Sequence, residues 1–255
     1  MNPTPPIATP RLSLTMMTMS DAADMHDIRG REEVMKWSVK KVPDATPEVT
    51  TNWLQRFTSD ELSDDLGPRV GYVIRELSLS PSITPSASSS SSSSSSSTST
   101  STSTPPTPSP SSSPSTPPAT SIPEGKVIGM LGIRLEAHTS PWAPAGQKAS
   151  GKDRWEIGYI LHPLAWGKGY ASEAVKGVIG AWEGGVRDDV GLKEKYVRAR
   201  GGQEEAAAAV DGGVWAMVNS ENGASQKVLT KCRFEGPVEV EVEEDGRVGW
   251  VFVKN

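Results

Sequence analysis

The chain is 255 residues long, with 26 Lys+Arg against 31 Asp+Glu, a formal net charge of −5 and 35% hydrophobic residues. The acidic balance excludes a non-specific nucleic-acid binder, which needs a basic footprint to displace counterions, and no apolar run reaches the roughly 18 residues of a membrane helix. A single cysteine, Cys232, excludes an intramolecular disulfide and suits a reducing compartment, the cytoplasm with the nucleus also open; with three scattered histidines, His26, His138 and His162, no metal site is expected.

The opening MNPTPPIATPRL has neither a basic stretch nor an apolar one behind it, so no secretory leader is expected. Residues 11–19 alternate like a strand. Residues 20–30 open with Ser-Asp, which predicts a helix capped by Ser20. Residues 47–57 predict a second helix with proline in its first turn. Strand signals come next at 69–77 and 126–135. Between them, 41 of the 46 residues in 78–123 are Ser, Thr or Pro, including ten consecutive serines. Such a tract has almost nothing apolar to bury, so it is read as a disordered insertion that lengthens a hairpin loop.

Residues 137–152 and 184–213 read as two smaller loop insertions, the second with an AAAA run able to form a short exposed helix. A strand is expected at 154–161, a helix at about 172–183, a strand at 214–218 and a helix at about 222–232. Strands at 236–243 and 247–253 close the chain through a turn at Glu244-Asp245-Gly246. Consecutive strands without intervening helices exclude a purely parallel doubly wound sheet. The expectation is one α/β domain over residues 10–254.

The most informative stretch is IGYILHPLAWGKGYASEAVKGVIGAW, in which a strand runs into Trp166-Gly167-Lys168-Gly169-Tyr170-Ala171 and a helix begins at once. Ala171, Ala174, Val175, Val178, Ile179 and Trp182 fall on one stripe of that helix, so it packs on the sheet. Its first-turn N–H groups lack intrahelical partners and sit at the positive end of the dipole, and two glycines let the backbone approach a ligand closely. A pyrophosphate suits that environment. Taken alone, two glycines fit a plain strand-to-helix turn better than a cradle. A Walker A loop fails, because His162 stands where its first glycine belongs and Gly169 where its Ser/Thr belongs. A Rossmann fingerprint lacks its third small residue.

The runs EIGYILHPLAWGKGYASEA and VNSENGASQKVLTKCRFE resemble the GNAT superfamily of N-acetyltransferases, in particular the branch that acetylates the N-termini of ribosomal proteins. The resemblance implies a GNAT fold: a mixed, mostly antiparallel sheet of about seven strands flanked by about four helices. It also implies acetyl-CoA as co-substrate, bound by the loop Trp166, Gly167, Lys168, Gly169, Tyr170, Ala171 and on to Ser172. That loop matches Q/R-x-x-G-x-G/A except at Trp166, which leaves the phosphates to backbone N–H groups. Asn222 and Ser225 match the N-x-x-S of the helix that contacts the pantetheine arm; read alone, Asn222 is a helix cap and Ser225 an exposed polar residue. Arg233 stands where the branch has glycine, so that helix is expected to end differently.

Acetyl transfer to an amine needs a base, an oxyanion site and a leaving thiolate. Glu156 is the candidate base: it lies mid-strand in an apolar run, on the face shared with Gly158 and Ile160, and a buried carboxylate there is costly unless paired. A structural salt bridge is an equal reading. Backbone N–H groups at Ile160 and Leu161 are the oxyanion donors that the resemblance implies. The tyrosine that many relatives use as acid is missing, since no Tyr occurs after Tyr196; Ser225 is the substitute, and a thiol pKa of roughly 8.5 makes the acid dispensable. Cys232 reads as core, His162 as orienting the turn, and Trp37 and Trp53 as core or cleft lining. The first two helices, with residues 31–37, are where the resemblance puts the acceptor. The acceptor is a protein N-terminus or a small amine, and the protein is expected to be a monomer or weak dimer. Two rival readings remain: a catalytically degenerate acyl-CoA-binding module, and a nucleotide-binding α/β protein, which the strand order disfavours.

Overall fold

In a computed structural model, residues 6–58, 69–77, 125–140, 143–186, 210–242, 246 and 248–254 are described, all within the unit formed by residues 1–78 and 121–255. The Ser/Thr/Pro tract, most of 184–213 and the turn at 244–245 lie outside the described residues. The elements are β1 (Ile7–Ala8), β2 (Leu12–Met16), α1 (Ala22–Arg29), α2 (Glu32–Met35), α3 (Pro47–Thr58), β3 (Arg69–Glu76), β4 (Val127–Glu136), α4 (Ala145–Ser150), β5 (Asp153–Leu161), α5 (Tyr170–Glu183), β6 (Val210–Asn219), α6 (Gly223–Lys231), β7 (Glu235–Val242) and β8 (Val248–Lys254).

The strands form one sheet in the order β1-β2-β3-β4-β5-β6-β8-β7. Every pairing is antiparallel except β5 with β6, where α5 supplies the crossover that a parallel pair requires. The expected mixed sheet is therefore present, with eight strands, and with six α-helices among the described residues. The additions are small. β1 has two residues and α2 has four, too short for any periodicity. α4 sits inside the stretch expected as a loop at 137–152, and its first amides are capped from far along the chain: Ala145 and Gly146 N–H donate to the carboxylates of Glu241 and Glu239 at 2.8 and 2.9 Å.

Alternation along the strands loads both faces. One face carries Leu14, Ile74, Leu131, Ile157 and Phe252, and α5 and α6 pack on it. The α5 stripe is buried as its spacing predicts, at Ala174, Val175, Val178, Ile179 and Trp182. Each of the larger side chains contributes roughly 1.5–3 kcal/mol of burial. Trp182 meets Trp155 edge-on with ring centroids 4.6 Å apart. The opposite face carries Val73, Val127 and Met130 under Met25, Ile28, Val34 and Leu54 from α1, α2 and α3.

The sheet splits near its centre. β4 pairs with β5 continuously, from Glu136↔Arg154 to Gly129↔Leu161. β6 pairs with β5 only at Asp153, Trp155 and Glu156. Past Glu156 the two central strands part, on the side where the chain turns into α5.

Candidate active site

The loop after β5 is built as a curl of backbone. Pro163–Ala165 form a short 3-10 turn whose N-cap is His162: its Nδ1 accepts from Leu164 N–H at 3.2 Å. His162 is 4% exposed, and burial holds its imidazole below the ordinary range, as befits a residue orienting a turn. Gly167 and Gly169 then take φ of 74° and 81°, a conformation other L-residues adopt only with strain. α5 begins at Tyr170, two residues before the expected start. No side chain caps it, and a Cβ added at Gly167 would meet nothing within 4 Å. The first-turn amides of α5 thus have no side-chain cap at a positive helix end.

The curl is clamped at two points. Trp166, 46% exposed, donates its indole N–H to the Leu161 carbonyl at 2.8 Å, tying the loop to the tip of β5. Arg11 donates from Nη1 to the Lys168 carbonyl at 3.0 Å and from Nε to Glu173 at 2.8 Å. Glu173 also accepts from Thr9 Oγ1 and from Arg11 N–H. Burial raises the Glu173 carboxyl, but the hydrogen bonds from Thr9 and Arg11 outweigh it and hold the group below the usual carboxylate range. Sequence reasoning missed this clamp; the only trace of it was an acid in the first turn of α5, and its partner lies 162 residues away.

At the tip of β5 the register separates the two proposed oxyanion donors. His162 N–H donates to the Ile128 carbonyl, and side chains and amides alternate from there. By that alternation Ile160 N–H is turned to β4. Leu161 N–H, and Tyr159 N–H with it, are turned to the side that β6 has left. The Tyr159 hydroxyl crosses that gap to the Ser225 carbonyl at 3.3 Å, and burial pushes its pKa up to about 12.

Asn222 is the N-cap of α6, its side chain accepting from Ser225 N–H at 3.1 Å. Thus Asn222 and the backbone of Ser225 are spent on shaping the helix start opposite the gap. α6 ends as a glycine-terminated helix would: Arg233 takes φ 63°, so the expected different ending does not occur. Cys232 is buried against Ser172, and burial raises its thiol, as for a core residue.

On the opposite face the side chains form transverse rows. Arg69 pairs across to Arg134, Arg134 to Glu156 and Glu156 to Trp215. Beside them runs a row of glycines, Gly71, Gly132 and Gly158. Phe57 of α3 lies over the first two, within 2.7 Å of a Cβ placed on Gly71 and 3.6 Å of one on Gly132. Nothing lies within 4 Å of a Cβ placed on Gly158. The floor there is open and sits next to Glu156, as strand parity predicts.

Glu156 Oε2 accepts from Arg134 Nε, and Arg134 Nη2 reaches Glu136 at 3.2 Å. Both readings of Glu156 therefore have support: it is salt-bridged, and it also borders open space. Burial pushes its carboxyl above the usual range, Arg134 offsets part of that, and Glu136 adds to it. Trp215 is 2% exposed, and its indole N–H has no acceptor among the described residues. Trp53 belongs to the packing of α3, with the Arg29 guanidinium 3.9 Å above its ring, whereas Trp37 is half-buried and stacked only by Lys36. Arg31 is held by Asp27 at 2.7 Å.

Residues 118–235 match a family model described as an acetyltransferase (GNAT) domain, a span that holds Glu156, the 166–172 loop, Asn222 and Ser225. That span is similar to a GNAT acetyltransferase domain. Solved GNAT structures share its fold at low identity. An acetyltransferase of the GNAT family from Bacillus anthracis is 14% identical with a TM-score of 0.53, over 98% of either chain. The aminoglycoside acetyltransferase AAC(6')-Ib, solved with ribostamycin and coenzyme A, is 12% identical with a TM-score of 0.53, over 96% of this chain and 93% of that one. The microcin C7 self-immunity acetyltransferase MccE, solved with acetyl-CoA and AMP, is 9% identical with a TM-score of 0.51, over 96% and 93%. No curated protein sequence matches the chain. Among the described residues, no group of three or more His, Cys, Asp or Glu could hold a metal ion.

Proposed function

We propose that this GNAT domain transfers the acetyl group of acetyl-CoA to a primary amine, a protein N-terminus or a small molecule. The observation that carries the reading is the parting of β5 and β6 past Glu156. One side of it has the uncapped cradle at 167–172, and the other has Glu156 beside the open floor at Gly158. Both AAC(6')-Ib and MccE were solved with coenzyme A or its acetyl ester, which supports the choice of donor. The likeness of the two sequence runs to the ribosomal-protein branch keeps a protein N-terminus among the acceptors. One cysteine and an acidic balance support a reducing, cytoplasmic setting.

The cradle fits a diphosphate. Its glycines leave no Cβ in the way at Gly167, and its first-turn amides have no side-chain cap to displace. When bound, acetyl-CoA supplies an activated thioester. Glu156, with its raised pKa, takes the proton that the amine loses as the C–N bond forms. The Leu161 and Tyr159 amides hold the charge that develops on the carbonyl oxygen. Ser225 stands across the gap to return a proton to the departing thiolate.

Calorimetry with acetyl-CoA and with ATP, together with thiol release over a panel of amines and peptides, tests this. Wild type binds acetyl-CoA and not ATP, and releases thiol with at least one amine. Gly169→Glu loses coenzyme affinity. Gly158→Val keeps that affinity but loses acceptor turnover, because its side chain fills the open floor. Coenzyme binding without thiol release on a broad panel would make the domain a binding module. Full affinity in Gly169→Glu would remove the cradle.

A further inference from the structure

The row beside Glu156 holds an arginine with nothing to do. The Arg69 side chain makes no hydrogen bond and no ion pair among the described residues; it lies over the face of Phe57, 5.5 Å from the ring centroid. It stands directly across from Arg134, whose guanidinium is already shared between Glu156 and Glu136. Like charges opposite one another on neighbouring strands are destabilising. Burial, with Arg134 and then Arg56, brings its pKa down to about 10, against a smaller upward pull from Glu136. Arg56, on the exposed side of α3, has no ion pair among the described residues either. The Phe57 ring and the glycine row leave a path along the sheet from Arg69 to the uncovered Gly158.

Resting on the acetyl-transfer reading, we infer that the acceptor carries a carboxylate as well as its amine, and that Arg69 binds this carboxylate while Glu156 meets the amine. The two positions are two strand spacings apart, roughly 10 Å between backbones. A guanidinium takes a carboxylate bidentately, and here the ligand would supply the direct partner that no described residue gives Arg69, Glu136 acting on it only through space. Arg69 is thus a specificity residue. A polycationic amine meets repulsion from Arg56 and Arg69 and is a poor acceptor.

Matched acceptors test the inference by thiol release: ω-amino carboxylates of increasing length from glycine upward, each beside its amide, and peptides beginning Ser-Glu beside Ser-Gln. The two sets distinguish a free amino acid from an acidic protein N-terminus as the source of the carboxylate. Wild type favours the acid over the amide by about tenfold or more in kcat/KM in at least one set. Arg69→Gln erases that preference by raising KM for the acids to the level of the amides. Arg69→Lys keeps part of the preference. Thermal melts of each variant control for folding, and loss of a like-charged neighbour should leave the melt at or above wild type. Equal use of acids and amides by wild type, or a preference that survives Arg69→Gln, overturns the inference and leaves acetyl transfer standing. If no amine is acetylated, the acetyl-transfer reading has failed instead. Dialysis of the acids and amides against the coenzyme-loaded protein then decides Arg69 by binding alone.

Discussion

Glu156 is held between two demands. Ionised, it satisfies Arg134; neutral, it avoids the cost of a buried charge. A base in that position is poised above the usual carboxylate range of about 4.3, so its acid limb in a pH profile should sit higher than an exposed glutamate's. Activity should therefore fall as pH drops through that raised value, because protonation removes the base. Removing the partner sharpens the test. Arg134→Leu takes away the group that offsets burial, so the limb in kcat/KM should move further up, while Glu156→Gln should abolish the limb and lower kcat by roughly 100-fold. A limb that stays in place in both variants would leave Glu156 with its structural salt bridge only.

At the scale of elements, the loop at 166–172 depends on a strand it does not touch in sequence. Arg11, just before β2, grips both Glu173 and the Lys168 carbonyl. Arg11→Met frees the loop and also leaves the Glu173 carboxylate uncompensated at the helix end where an anion would bind, and both effects weaken coenzyme binding. Calorimetry should show Kd for coenzyme A rising about tenfold, a loss of roughly 1.4 kcal/mol. Glu173→Gln removes the negative charge as well and should cost less. Wild-type affinity in Arg11→Met would reduce the clamp to a structural detail. The clamp also marks where sequence reasoning stops. The elements with a full period were legible: α5 from its stripe, β5 from its alternation, α6 from its Asn222 cap. Gly158 was legible too, because strand parity alone places it beside Glu156. What could not be read depends on partners distant in the chain, such as the carboxylates that cap α4, the arginine that grips the loop, and the register that turns Ile160's amide away from the gap and Leu161's toward it. Arg233 misled for a related reason. A left-handed residue costs an L-side chain roughly 1–2 kcal/mol, which tertiary packing here overrides.

For the molecule as a whole, acid should be the weak flank. Asp44 is fully buried and accepts from Arg29, Lys40 and Thr50, so it ties the end of α1 to the start of α3. Burial raises the Asp44 carboxyl, but its hydrogen bonds from Arg29, Lys40 and Thr50 prevail and hold it below the ordinary value. Asp27 obeys the same logic, with Lys126 and Arg31 as partners, and Glu173 with Thr9 and Arg11. A carboxyl whose pKa is lower folded than unfolded binds protons more tightly in the unfolded chain. Its stabilisation is therefore whole above the unfolded value, near 4, and is lost as pH falls through the folded one. Glu156 runs the other way, favouring the fold while protonated and losing that contribution as pH rises through its raised value. Four lowered carboxyls, the exposed Glu48 among them, stand against one raised one. The lowered His162 imidazole adds a loss that begins below its unfolded value of about 6.5. The urea midpoint should therefore slip gently below neutral pH and fall steeply below about 4. Asp44 should dominate the fall, since solvent screens the half-exposed Asp27 more. Asp44→Asn keeps the shape but leaves Arg29 buried without its counter-charge, so it should lose about 3 kcal/mol at neutral pH and show a flatter midpoint-against-pH curve. A wild-type midpoint that stays level to pH values near 3 would mean these ion pairs do not set the acid limit of the fold.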